Sequence, residues 1–440
     1  LLITHGPRQL NRRNFLRIGA LGCGGLSLVD LLRNEARANT PKRSKSVIYI
    51  VLDGGPSHID MYDLKPDAPD EYRGPFQSIA TSLTGVRISE HLPLQAAMMH
   101  KLALLRGIKS VENDHFLSEV YTGLPRTAGR RPAFGSIVSR LAPSGSAVPT
   151  YVSLERPSSG EFDFELPHYA GVAHAPFRPF GSALDNLAPP KKLDRLQDRK
   201  HLLTTFDSMN RELDHNALIG LDRFQQQALQ MIASPKVREA FDLSKEPEKV
   251  RFGYGKGGKY THQTFKTIVY DFDSRPFLLA RRLVEAGVRV VTLRVSQWDH
   301  HSSDNGDIFF SLKLMLPALD RAFTALIGDL EARGLSDDVL VVMLGEFGRT
   351  PKIGKPGPGR EHHADAGCAI LAGGGLAMGQ VIGETDSRAE RAKTGSIGFQ
   401  NIMATIYKVM GVDPIIKLPD FNGRPQHILA DRQPIRELVD

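Results

Sequence analysis

Five short apolar runs constrain this chain more than any other feature. Val47 to Leu52 reads Val-Ile-Tyr-Ile-Val-Leu and stops at Asp53-Gly54-Gly55. Lys101 to Leu105, Val288 to Val295, Val339 to Leu344 and Ala369 to Ala372 are similarly brief. Such runs lack the alternation of a strand with one wet face. They suit strands covered on both faces, as in a parallel sheet. Helical patterns lie between them: about Phe116 to Gly123, Pro276 to Ala286 before Gly287, and Leu312 to Arg333 before Gly334. Left-handed glycines commonly stop helices. Helix–strand alternation predicts an α/β fold, with a mostly parallel central sheet and helices on both faces.

In such sheets, working residues gather just past the carboxyl ends of strands. The first run ends in Asp53, with His58, Asp60 and Asp63 close behind. The second leads to Glu112-Asn113-Asp114-His115, and the third to Trp298-Asp299-His300-His301. The fourth ends in Gly345-Glu346-Phe347-Gly348-Arg349, and Arg360-Glu361-His362-His363-Ala364-Asp365 precedes the fifth. Carboxylate and imidazole groups recurring at five strand ends suit a divalent cation such as Zn²⁺, Mn²⁺ or Ca²⁺. Each cluster alone has a plainer reading. Asp53-Gly54 fits a turn, the paired histidines fit solvated loops, Glu346 could pair with Arg349, and Asp114 could cap the helix that follows.

The rest of the chain bounds what surrounds this site. Residues 140–190 are rich in Pro, Gly and Ser and read as loops with short strands. Residues 191–245 are polar and helical, an insertion or cap, and 251–259 read as a glycine-rich loop. Near the start, Asn11-Arg12-Arg13-Asn14-Phe15-Leu16 precedes an apolar, glycine-broken stretch from Ile18 to Leu32, and Ala36-Arg37-Ala38 follows. Basic, apolar and small-residue parts in that order read as a twin-arginine export signal over 1–38, leaving 39–440 as the working domain. The expected location is periplasmic or extracellular, with the twin-arginine translocase as partner during export. The apolar stretch is too short for a comfortable membrane span, and no later run is long enough. The formal charge of +7 draws partly on six arginines in 1–38. No basic block with interleaved aromatics appears, which argues against a nucleic-acid partner. The only cysteines are Cys23 and Cys368, so the part beyond the signal cannot form an intrachain disulfide.

With these residues in view, the chain resembles the domain of unknown function 1501 family, in the alkaline-phosphatase-like superfamily that includes sulfatases. The marks are Leu52 to His58 (Leu-Asp-Gly-Gly-Pro-Ser-His), Asn113-Asp114-His115, Tyr121-Thr122-Gly123, Ala280 to Val288, Trp298 to His301, Gly345 to Pro351 and Glu361-His362-His363. The resemblance implies one or two metal ions. Asp53 looks like the first-strand carboxylate ligand, and Asp299 with His301 like an aspartate–histidine pair. Glu346 falls where the superfamily has an aspartate, and His362 or His363 looks like the late histidine. Phe347 stands where another histidine belongs, and His58 or His115 could fill that gap. Asn113 occupies the sulfatase nucleophile position, and no Cys-x-Pro-x-Arg motif exists here. The implied chemistry is therefore attack by metal-activated water on a phosphate or sulfate ester. The ester would be a small molecule or linked to a polysaccharide. Asn113 would orient substrate, Arg349 or Arg360 would clamp the anion, and Asp114 or His115 would serve as base. The alternative is a degenerate relative that keeps the fold and a metal in a surface or structural role.

Overall fold

The computed structural model describes residues 44–145, 148–155, 163–179, 235–263, 267–301, 307–393 and 395–440. The expected export signal lies outside them, as does the expected insertion up to residue 234. Of that insertion the structure describes a helix at Pro235–Phe241 and a 3-10 turn at Leu243–Lys245.

Strand β1 (Ser46–Leu52) is buried along its whole length. Its alternate side chains serve two separate cores. Ile48, Ile50 and Leu52 pack into one, with Leu278 and Leu283 of helix α3 (Arg275–Ala286) and Leu312, Leu319 and Phe323 of helix α4 (Ile308–Ala332). Val47, Tyr49 and Val51 pack into the other. Its helical cover is α1 (Ser118–Thr122), α2 (Phe134–Leu141) and α5 (Phe399–Met410). This is why β1 carries no polar alternation: either face would otherwise bury a polar side chain. Each such aliphatic side chain contributes about 1.5–3 kcal/mol by leaving water.

Six further strands complete the sheet: β2 (Leu102–Arg106), β3 (Tyr151–Ser153), β4 (Val290–Val295), β5 (Val339–Leu344), β6 (Cys368–Gly373) and β7 (Gln380–Ile382). The order across the sheet is β7-β2-β6-β5-β1-β4-β3. β1 runs parallel to β4 and β5, β3 to β4, and β7 to β2; β6 runs antiparallel to both its neighbours. The architecture is thus mixed α/β around a mostly parallel sheet. The antiparallel β6 matters for function, because its amino end meets the carboxyl ends of β1, β4 and β5. The loop before it delivers His362 and His363 to the same edge as Asp53, Asp299 and Glu346.

Local signals set the helix ends. Gly123 (φ 75°) and Gly287 (φ 109°) adopt the left-handed conformation that closes α1 and α3. α4 begins at Ile308, four residues before the expected Leu312, because the Asp307 side chain caps the amides of Phe309 and Phe310 at 2.8 and 3.1 Å. Of the glycine-rich 251–259, only 254–257 form the expected loop; 251–253 end a helix (Glu248–Gly253), and 258–259 open a two-stranded ribbon of Gly258–Gln263 with Thr267–Phe272. Among the described residues, no helix is long and apolar enough to cross a membrane.

Candidate metal centre

The turn after β1 is packed too closely for a side chain. Gly54 sits at φ +118°, and a Cβ there would lie 2.6 Å from the Asp299 backbone nitrogen. That approach lets Trp298 N donate to Asp53 O at 3.1 Å and Gly54 N donate to Glu346 Oε1 at 2.9 Å. The ends of β1, β4 and β5 are thereby tied together. A short ribbon pairs Gly348–Arg349 with His362–His363 and brings in the loop before β6.

At this junction His115, Asp299, His301 and His362 each offer a ligand atom, all within 4.8 Å of one another. His301 Nε2 lies 2.8 Å from Asp299 Oδ1, and His362 Nε2 lies 3.5 Å from the same oxygen. His115 bridges two carboxylates, with Nδ1 3.0 Å from Glu346 Oε1 and Nε2 3.4 Å from Asp299 Oδ2. Buried Glu346 Oε2 and His362 Nε2 have no hydrogen-bond partner. All four group members are only partly buried, so the centre is open to solvent.

The electrostatics favour a positive charge here. Hydrogen bonds to Asp299 and then Glu346 push the His115 imidazole up to about 9, against the opposing effect of burial. Burial works against ionisation of Asp299, yet His115, His362 and Arg349 beside it hold its carboxyl well below the usual range. Desolvation, then the Glu346 charge, raises Asp53. A cluster of carboxylates that draws a proton onto a histidine, with orphaned buried acceptors beside it, fits a divalent cation. Three imidazoles and a carboxylate converge within 4.8 Å, Glu346 stands next to them, and such donors suit Zn²⁺ or Mn²⁺.

Several expected residues sit elsewhere. His58 is fully buried, and both ring nitrogens are engaged: Nε2 with Ala389 O at 3.0 Å, and Nδ1 accepting from Arg349 N at 3.4 Å. Desolvation pulls it down to about 4, so it is neutral. It braces the ribbon and is not placed to hold the ion. His363 turns the same way, with Nε2 2.7 Å from Glu390 O, leaving His362 as the histidine of that pair in the group. Of the two histidines considered for the gap at Phe347, His115 enters. Phe347 itself is buried and walls the site, its ring 4.4 Å from that of His362. Asp53 stands just outside the four-residue group, with Arg294 Nη1 3.4 Å from its Oδ2. Exposed Asp114 accepts from Phe116 N at 3.1 Å but does not cap the following helix as expected, because α1 starts only at Ser118 with Leu117 at its N-cap; Asn113 meets His362 through its backbone carbonyl at 2.9 Å.

The anion-clamp role expected of Arg349 or Arg360 does not fit their burial, since both are 0% exposed. Arg349 donates to Gly55 O at 2.7 Å, Arg360 O at 3.0 Å, Asp299 Oδ1 at 2.5 Å and also Gly54 O. Arg360 makes a two-point pair with buried Asp60 at 2.7 and 3.0 Å, and donates to the carbonyls of Tyr72, Thr350 and Pro351. Their donors are spent on the frame. Residues that sequence reasoning passed over include Glu361, whose Oε2 contacts His301 Nδ1, and Glu155, which lies 3.1 Å from Arg294 Nε. Burial, then the charge of Glu165, pushes Glu155 up to about 8. Glu361 precedes the paired histidines and was visible as a carboxylate among ligands; nothing local marked Glu155.

A family model described as "Protein of unknown function (DUF1501)" matches residues 44–439. The chain belongs to this family. No curated protein matches the sequence. Among solved structures, this family member is similar to PsFucS1 sulfatase from Pseudoalteromonas sp., at 13% identity over 97% of this chain and 77% of that one, with a TM-score of 0.36. It is also similar to Ps i-CgsB in complex with k-i-k-neocarrahexaose, at 9% identity over 84% and 72%, TM-score 0.37. Lipooligosaccharide phosphoethanolamine transferase A from Neisseria meningitidis matches at 14% identity over 91% of this chain and 62% of its own, TM-score 0.33. Superpositions this loose establish no shared activity.

Proposed function

We propose that this protein is an exported, metal-dependent hydrolase of phosphate or sulfate esters, acting in the periplasm or outside the cell. The observation that carries the reading is the convergence of His115, Asp299, His301 and His362 within 4.8 Å, open to solvent and beside the orphaned Glu346 Oε2. Asp299, His301 and His362 would hold a Zn²⁺ or Mn²⁺ ion, with Glu346 and Asp53 as flanking carboxylates. Such an ion supplies Lewis acidity and a water that is nucleophilic near neutral pH. The chain's own contribution is proton handling and positioning. His115 reaches both Glu346 and Asp299, so it can give a proton to a leaving oxygen or take one from water. Phe347 keeps one wall of the site apolar.

A second reading is a metal-binding relative without turnover. It is favoured by the burial of both Arg349 and Arg360, which leaves neither to grip an anion. Two measurements separate the readings. Metal content of unchelated protein, purified from a host with the export route, should be at least one ion per chain and should fall to background in Asp299→Ala and His301→Ala. Hydrolysis of aryl phosphate or aryl sulfate should follow metal loading. Absence of metal sinks both readings; metal without turnover on a broad panel of anionic esters leaves the second.

A further inference from the structure

We propose that Glu361 is a positioning residue that sets His301 to bind the cation through Nε2. The inference rests on the metal-site reading above. An imidazole ligand works only when the nitrogen facing the ion carries a lone pair, so its other nitrogen must carry the proton. Such ligands usually donate that proton to a carboxylate or a backbone carbonyl. His301 and His362, the two histidines proposed to hold the ion, are built this way. His301 Nδ1 contacts Glu361 Oε2, while its Nε2 faces Asp299 at 2.8 Å. His362 Nδ1 lies 2.9 Å from the Asn113 carbonyl, an acceptor only, which fixes the proton on Nδ1. His362 Nε2 is then left buried without a hydrogen-bond partner and faces Asp299.

The two acceptors differ in kind. The Asn113 carbonyl is neutral backbone. Glu361 is a side chain on the ribbon, its backbone fixed by Thr350 N donating to Glu361 O at 2.8 Å and Glu361 N donating to Thr350 Oγ1 at 2.9 Å. A carboxylate there accepts the Nδ1 proton of His301 and stops the ring from flipping. Because the Glu361 side chain is about half exposed, at 49%, it can be altered without leaving a buried void.

The test is Zn²⁺ affinity, measured by competition with a chromogenic chelator, for wild type, Glu361→Gln and Glu361→Ala. Glu361→Ala should bind Zn²⁺ roughly 10- to 100-fold more weakly, the usual effect of losing such a partner. Glu361→Gln keeps an acceptor without the charge and should recover part of the loss. In Zn²⁺-loaded wild type, ¹⁵N imidazole shifts should show His301 with its proton on Nδ1. An alanine variant that binds within twofold of a tight wild type overturns the positioning role and leaves the metal site standing. A wild type that binds no Zn²⁺ or Mn²⁺ overturns both. The thermal midpoint of the metal-free protein should not change in either variant; a drop matching the affinity loss would assign Glu361 to folding instead.

Discussion

Arg349→Met separates two roles for one guanidinium. Methionine preserves length and apolar bulk while removing every donor. The structure shows four acceptors that depend on that group: the carbonyls of Gly54, Gly55 and Arg360, and the Asp299 carboxylate. An acceptor left buried without a partner costs about 1–3 kcal/mol. Asp299 keeps His115 and His301 as partners and is 30% exposed, so its share is discounted. Three carbonyls near the lower limit, plus a reduced term for Asp299, give a loss of about 4 kcal/mol, within the about 3–5 kcal/mol seen when a buried ion pair loses one member. Unfolding entropy of about 2.1 cal/mol/K per residue, over about 400 residues, is roughly 0.8 kcal/mol/K. The midpoint of thermal unfolding should therefore fall by about 5 °C. The assay is calorimetry of wild type and variant in excess chelator, which removes any contribution from bound metal. An anion clamp predicts the opposite pattern: an unchanged midpoint and a raised KM for the ester. A shift below about 1 °C would refute the frame role.

Two further perturbations probe the same frame. His58 is neutral in the fold, pulled down to about 4, whereas an unfolded histidine titrates near about 6.5. The unfolded chain therefore binds more protons between those values, and stability is lost as pH falls from about 6.5 to about 4, by about 3 kcal/mol in total. Asp320, pushed up to about 6 by burial, contributes the opposite slope. The difference between wild type and His58→Gln in urea midpoints at pH 7 and 4.5 isolates the histidine, and equal slopes in the two proteins would contradict it. Gly54→Ala places a methyl 2.6 Å from backbone at a left-handed φ and should displace the Asp299 loop. Its Zn²⁺ affinity should drop at least tenfold, and unchanged affinity would show that the turn tolerates a side chain.

Five of the seven sheet strands, and the residue types that gather at the candidate site, were legible along the chain. A strand buried on both faces must be apolar throughout, so Val47 to Leu52 announced its place in the middle of a sheet, and Gly123 and Gly287 announced helix ends by their backbone freedom. Carboxylates and histidines clustered after those runs because strand ends in such a sheet are where side chains can meet a ligand. What the chain could not disclose was direction and partnership. Only the antiparallel course of β6 brings His362 to the edge where β1, β4 and β5 end. His362 and His363 are neighbours of the same type, yet opposite sides of a two-residue ribbon send one to Asp299 and the other to the Glu390 carbonyl. An arginine among ligands looks like an anion clamp until burial shows that carbonyls consume its donors. Residue type sets which chemistry is available at a position, through local and covalent properties. Which groups are desolvated, and which atom faces which, depends on contacts between segments up to about 300 residues apart, and these exist only once the sheet has assembled.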